Sequence, residues 1–245
     1  MANNSKIEWT EATWNPVTGC SKVSLGCKFC YAERFAKRLQ QMGNKRYKNG
    51  FKVTFHSDLI EQPKRWRKPS IVFVNSMSDL FHEKIPTDFI ISIFKTMNNC
   101  YWHQFQILTK RSKRLTEIAP LVKWTPNIWA GVTVESQAYT SRIVDLQKVP
   151  AKIRFISFEP LLSSINNLNF KKIDWVIVGG ESGQYARPMR TEWAEKIRIQ
   201  CEKAEIPFFF KQWGGAQKWK TGRRLNGKVY NQMPAFLRPL ELFDF

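Results

Sequence analysis

A chain of 245 residues that is 43% hydrophobic and 14% aromatic can bury one large core and is too apolar to remain disordered. No apolar run reaches the roughly 18 residues that a bilayer span takes, and the opening MANNSKIEWTEATWNP lacks a signal peptide's apolar centre, so a cytoplasmic location with no membrane partner is expected. A formal net charge of +19 favours a polyanionic partner, DNA, RNA or an acidic surface.

In chain order, a first strand is expected just before Cys20, then a helix in YAERFAKRLQQM (31–42) with Phe35, Leu39 and Met42 on one side and Gly43-Asn44 to stop it. Short β-branched or aromatic runs follow: FKVTF (51–55), SIVFVNS (70–76), QFQILT (104–109), NIWAGVTV (127–134), IRFISF (153–158), DWVIVGG (174–180) and PFFFKQW (207–213). Between them lie helical patterns. TDFIISIFKTMNNCYW (87–102) puts Ile90, Ile93, Phe94, Met97 and Tyr101 on one stripe, and TEWAEKIRIQCEKAEIP (191–207) opens on a Thr N-cap and stops before Pro207. The helix in LLSSINNLNFKK has little room.

Near-continuous apolar strands separated by helices imply a parallel sheet covered on both faces. About eight such units predict an α/β chain built as a (β/α) barrel, complete or partly open, with the cysteine loop after the first strand. A doubly wound open sheet is the alternative. The barrel is expected over 1–215, with a basic extension, 216–245, packed on the same domain. In such barrels chemistry sits at the C-terminal strand ends. There the sequence places Ser76, Ser78 and Asp79, then Thr109, Lys110 and Arg111, then Thr133 and Glu135, then Ser157 and Glu159, then Glu181 and Ser182, then Lys211 and Gln212.

Three of the five cysteines fall as C-x6-C-x2-C at Cys20, Cys27 and Cys30. In a reducing compartment this clustering suggests metal binding rather than disulfides. A closed zinc site takes four ligands, and His56, His82 and His103 offer a fourth without paired spacing. Three thiolates also suit a [4Fe–4S] cluster with one iron left open. Cys100 and Cys201 lie on apolar stripes and are expected in the core.

A strand, a three-cysteine loop with Phe29 before its last cysteine, and a helix beginning CYAERFAKR resemble the radical S-adenosylmethionine (SAM) superfamily. More narrowly, the segments TWNPVTGC, SMSDLFH, LTKR, GVTVES, SFEPLL, VIVGGESG with ARPMR, and FFFKQWG resemble a phage and prophage protein family of radical-SAM type. The resemblance implies a [4Fe–4S] cluster on Cys20, Cys27 and Cys30. It implies SAM on the fourth iron, cleaved after one-electron reduction to a 5′-deoxyadenosyl radical that takes hydrogen from substrate. An electron donor such as flavodoxin or ferredoxin is then needed. The superfamily's common spacing is C-x3-C-x2-C, and its GGE follows the second strand. Here Gly179-Gly180-Glu181 follows roughly the seventh, so that role is not carried over.

Glu159 and Glu181, with Gly179, Gly180, Ser157 and Asp79, are the candidate cofactor-binding residues because they stand at strand ends near the cysteine loop. The candidate nucleic-acid contacts are Lys64, Arg65, Trp66, Arg67 and Lys68, then Lys110 and Arg111, then Lys218, Trp219, Lys220, Arg223 and Arg224, where rings alternate with cations. Together these suggest a monomeric radical-SAM enzyme that repairs or modifies a base, in DNA more than RNA. The rival readings are a nucleic-acid binder stapled by a metal, and a radical-SAM enzyme acting on a peptide or small molecule.

Overall fold

Seven short apolar segments form one parallel sheet whose spatial order follows the chain. In the computed structural model, which describes residue 5 and residues 7–235, these are β1 (Ala12–Trp14), β4 (Ile71–Val74), β5 (Gln104–Thr109), β6 (Ile128–Thr133), β7 (Arg154–Phe158), β8 (Trp175–Gly179) and β9 (Phe208–Gln212). Every neighbouring pair is parallel. Consecutive order without a reversal is the topology of a barrel rather than of a doubly wound sheet. β1 and β9 do not pair, so the sheet curls into a half-barrel and stays open.

The strand expected just before Cys20 and the one at 51–55 belong elsewhere. β2 (Val17–Thr18) and β3 (Thr54–Phe55) make a separate two-stranded antiparallel sheet, and the first strand of the main sheet is β1. FKVTF carries a strand's composition but supplies only two paired residues. Among the described residues the count of about eight parallel units therefore falls to seven strands.

The helices are α1 (Tyr31–Gln41), α2 (Thr87–Asn99), α3 (Ser112–Ile118), α4 (Ser141–Leu146), α5 (Thr191–Lys203) and the short α6 (Lys218–Thr221). No helix is described between β7 and β8, where the sequence left little room. Arg190 rather than Thr191 is the N-cap of α5. In α2 the stripe Ile90, Ile93, Phe94 and Met97 is buried, while Tyr101, past the helix end, is exposed. In α1 the side that carries Phe35, Leu39 and Met42 is only partly covered. Ala32 and Ala36 are the buried residues of the helix, whereas Phe35 and Met42 are exposed. Small alanines let this helix lie close to its neighbours, with Leu39 packed beside them, while Phe35 and Met42 point outward.

Alternation along each strand sorts two cores. Val72, Val74, Phe105, Ile107, Ala130, Val132, Ile156, Phe158, Val176, Val178, Phe208 and Phe210 join the helices in a mainly aliphatic outer core. The intervening residues Phe73, Trp129, Phe155, Trp175, Ile177 and Phe209 face the concave side, where Trp9 joins them. Trp175 lies 5.5 Å from Phe155 and 6.0 Å from both Trp129 and Phe209, centroid to centroid. Each such pair contributes about 0.5–1.5 kcal/mol beyond area burial. This aromatic layer fills the lower half of the half-barrel.

Gly131 on β6 makes the layer possible. A Cβ there would stand 2.4–2.6 Å from three atoms of the Phe155 ring, its register partner on β7. Gly131→Ala is therefore expected to lower stability by about 1–3 kcal/mol, the usual cost of overpacking a core. Urea unfolding is the measurement, and an unchanged midpoint would show that the ring has room to move.

Beyond β9 the chain returns along it. Phe209 bridges Asn231 in antiparallel fashion, Phe210 N donates to Tyr230 O at 3.0 Å, and the Trp175 indole donates to Gln232 O at 2.8 Å. The described part of the basic extension thus lies against the sheet. Residues 236–245, the rest of that expected segment, are outside the described residues.

Candidate active site

Above the aromatic layer the same concave columns turn polar. β7 reads Phe155, Ser157 and then Glu159; β6 reads Trp129, Gly131, Thr133 and then Glu135; β8 reads Trp175, Ile177, Gly179 and then Glu181. Residues two apart share a face, so each column runs from ring to carboxylate at the C-terminal mouth. A cavity of about 410 Å³ opens there. It is floored by Ile7, Trp9, Phe73 and Leu108, and all three cysteines of the C-x6-C-x2-C segment line it, with Asp79, Lys110, Ser157, Glu159, Glu181 and Lys211.

The cysteine loop is held from several sides. Cys20 lies two residues after β2, Cys27 closes a 3-10 turn over Leu25–Cys27, and Cys30 is the N-cap of α1. The positive end of the helix dipole therefore falls beside Cys30. Arg111 reaches Cys20 Sγ at 3.5 Å while it donates to Ser21 Oγ at 2.8 Å and to Glu83 at 3.0 Å. Burial, and then the charge of Asp79, push the Cys20 thiol up to about 11 against the opposing pull of Arg111. Ser24 Oγ donates to Glu135 Oε1 at 2.5 Å, the backbone N–H of Leu25 donates to the Tyr139 hydroxyl at 3.3 Å, and Arg187 donates to Leu25 O at 2.9 Å. The six residues between the first two cysteines thus dock onto residues that follow β6 and β8.

Several strand-end groups have settled partners. Asp79 accepts from Thr109 Oγ1 at 2.7 Å and from the backbone of Phe81 and Lys110 at 3.0 and 3.1 Å, with Arg111 at 3.4 Å. It ties β4's end to β5's, with both oxygens engaged. Glu181 is gripped by Arg187, Nε to Oε2 at 2.8 Å and Nη2 to Oε1 at 2.6 Å. Burial alone would raise its pKa, but the Arg187 hydrogen bonds, with the charges of Arg187 and Arg34, bring it below the ordinary carboxylate value. Glu159 is more open to a ligand. Ser157 Oγ donates to Oε2 at 3.1 Å, and Lys211 stands 3.0 Å from Oε1.

Gly179 and Gly180, candidate cofactor contacts in the sequence, make room for the protein itself. A Cβ on Gly179 would lie 2.6 Å from Glu159 Oε1, and one on Gly180 would lie 1.9 Å from Trp213 O. Gly180 also lines the cavity; Gly179 does not.

Asn75 was not singled out from the sequence. It ends β4 with φ of +60°, a left-handed conformation that Asn tolerates better than most residues. It is buried, and its Nδ2 has no partner among the described residues; the same holds for Ser78 Oγ and Gln212 Oε1. All three residues line the cavity. Buried polar atoms are ordinarily satisfied, so these are open positions for a polar ligand. Only an Asn at the end of an apolar strand hinted at the first of them. Arg187 and Glu135 were visible within motifs, but their grip on the cysteine loop was not.

The basic clusters separate. Lys64–Lys68 precede β4 and so lie at the N-terminal strand ends, opposite the cavity. Lys64, Arg65, Arg67 and Lys68 are exposed, and Lys64 pairs with Glu61. Trp66 instead packs on the outer core, edge-on to His103 at 5.6 Å, so its ring is occupied by the protein. Lys110 faces the cavity, and Arg111 is turned inward to its partners. The 218–224 segment follows β9 at the cavity end, with Trp219 and Lys220 exposed. Arg223 donates to Lys211 O at 3.0 Å, and Arg224 donates to Gly227 O at 2.9 Å. The Lys218 side chain is outside the described residues. Cys100 and Cys201 are fully buried, and burial pushes their thiols up to about 11 and about 12.

The chain matches, over residues 4–234, the family described as "Protein of unknown function (DUF5131)", and it belongs to that family. No curated protein matches it. Among solved structures it is similar to a cysteine-to-alanine mutant of spore photoproduct lyase with a dinucleoside spore photoproduct, at 11% identity and a TM-score of 0.43. That likeness covers 74% of this chain and 58% of the other, and bears on neither activity nor substrate. Among the described residues no helix is long and apolar enough to cross a membrane.

Proposed function

We propose that this protein is a radical-SAM-type enzyme acting on nucleic acid. Cys20, Cys27 and Cys30 would carry a [4Fe–4S] cluster, and SAM would occupy the cavity beside it. The observation that carries the reading is the meeting of three thiols with a ring of strand-end polar groups in one cavity of about 410 Å³. Unpartnered Asn75 Nδ2, Ser78 Oγ and Gln212 Oε1 on residues that line it favour a polar occupant. Among the described residues no three His, Cys, Asp or Glu side chains are gathered as a single ion requires. Four-coordinate zinc would need its sulfurs about 2.3 Å from one metal. Three thiols on one cavity wall suit a [4Fe–4S] cluster with one iron left open, whereas a closed zinc site takes four ligands.

A cluster held by Cys20, Cys27 and Cys30, with SAM beside it, would supply radical hydrogen abstraction from the substrate. The chain's own part is to position and to seal. Arg111, Glu135 and Arg187 fix the loop that bears the thiols. The aromatic layer closes the cavity from below and keeps water from a reactive species. Glu159 is the carboxylate placed to receive an ammonium or a ribose hydroxyl. Glu181 would act through Arg187, which grips both of its oxygens, whereas Glu159 would exchange Ser157 or Lys211 for the ligand. The charge of +19 supports a nucleic-acid substrate, with base repair or modification as the reaction, and an electron donor of the flavodoxin or ferredoxin class supplies the reductant.

The test is anaerobic reconstitution followed by assay for 5′-deoxyadenosine with a strong reductant, with and without DNA. Protein with about four irons and four sulfides per chain that forms 5′-deoxyadenosine supports the reading. Stoichiometric zinc with no iron–sulfur absorbance overturns it.

A further inference from the structure

We infer that nucleic acid docks on the rim of the cavity, with an unstacked base received by exposed rings beside the cysteine loop, and not on the 64–68 cluster. This rests on the nucleic-acid part of the reading above and not on its radical chemistry.

The rim has two joined parts. On the loop, Phe29 lines the cavity, and its ring meets Tyr185 at 6.0 Å. Lys28 Nζ and the Arg187 guanidinium lie 5.2 and 5.4 Å from the Phe29 centroid. Tyr185 is 65% exposed. On α1, Tyr31 and Phe35 are four residues apart and share an outward face with Arg34, Arg38 and Met42, while Ala32 and Ala36 are buried behind them. Phe35 is 49% exposed. Arg34 joins the two parts by donating to Ser182 O at 2.6 Å.

Exposed apolar side chains gathered on one face, rimmed by polar residues, mark an interaction site. Here they alternate with arginines, the pairing that lets rings stack on bases while cations meet phosphates. The geometry also selects the occupant. Whatever docks must send a small group past Phe29 to the cavity that the thiols line. A base turned out of a strand does this, whereas the body of a folded acidic protein does not. The 64–68 cluster offers exposed charge without a free ring, and at the far strand ends.

The test compares Tyr185→Ala, Phe35→Ala with Arg38→Gln, and a variant with Lys64, Arg65, Arg67 and Lys68 changed to Gln. Binding of a labelled single-stranded oligonucleotide is measured across a salt series. Each ring lost on the rim is expected to weaken binding roughly 5- to 150-fold. Arg38→Gln should lower the salt slope by about 0.7. The 64–68 variant should bind within a few-fold of the parent. Circular dichroism and iron content confirm that each variant is folded and loaded. The inference is overturned if the 64–68 variant loses binding while the rim variants keep it, or if the parent binds no single strand at low salt. It is equally overturned if the rim variants bind normally and lose only reduction by a small acidic electron-transfer protein. Formation of 5′-deoxyadenosine is scored separately, so failure of the chemistry and failure of the docking surface are distinguished.

Discussion

Cys20→Ala, Cys27→Ala and Cys30→Ala are each expected to reduce bound iron and sulfide to near zero after anaerobic reconstitution, while Cys100→Ala and Cys201→Ala keep the full complement. A site-differentiated cluster depends on every one of its three thiolates, and neither of the other two cysteines lines the cavity. Cys100 and Cys201 are fully buried in the outer core with the helices, so their loss is a packing defect. Metal analysis with the visible spectrum reads the result directly. Full iron retention in any one of the three alanine variants would disprove the ligand set.

Glu135→Ala should have the largest effect on stability of any substitution at the strand ends, about 3–5 kcal/mol. Glu135 has no exposed surface, and it accepts from Arg142 at 2.8 Å and from Ser24 at 2.5 Å, with Lys110 3.9 Å away. Removing one member of a buried ion pair strands the other charge; Arg142 would keep its bond to Thr133 O and its stacking on the Tyr139 ring, neither of which neutralises it. Gly26 packs so closely on this carboxylate that a Cβ there would stand 2.5 Å from it, so the 24–26 turn loses its seat as well. Urea unfolding reports the stability, and hydrogen exchange should show faster opening of that turn than in the parent. If the midpoint moves without faster exchange there, Glu135 supports the core alone.

The strands from SIVFVNS to PFFFKQW could be read from the sequence because each is a short apolar run that a covered parallel sheet requires, and their ends mark the cavity mouth. Glu159 and Glu181 were found for that reason. What those carboxylates touch was not legible. Arg187 is six residues from Glu181 in the chain, yet its bidentate geometry depends on the path of an irregular loop. The same limit hid the link from Ser24 to Glu135, groups 111 residues apart. Trp66 misled for a different reason. A Trp between cations reads as a stacking platform, but only packing decides whether its ring faces solvent or, as here, the outer core. In α1 the apolar side was legible, since Phe35, Leu39 and Met42 do lie together, but periodicity alone does not tell how much of it a core covers.

The return of the chain along β9 has a consequence for how the molecule is made. A half-barrel has two outer strands, each with a row of backbone donors and acceptors that another copy of the chain can take up. β1 is three residues long and offers a stranger little. β9 is five residues of mostly aromatic sequence, and the segment that shields it, around Tyr230 and Gln232, leaves the ribosome after it. For that interval the newborn sheet is complete except on its stickiest side. Aggregation is thus a race between closure of that last segment and encounter with a second nascent chain.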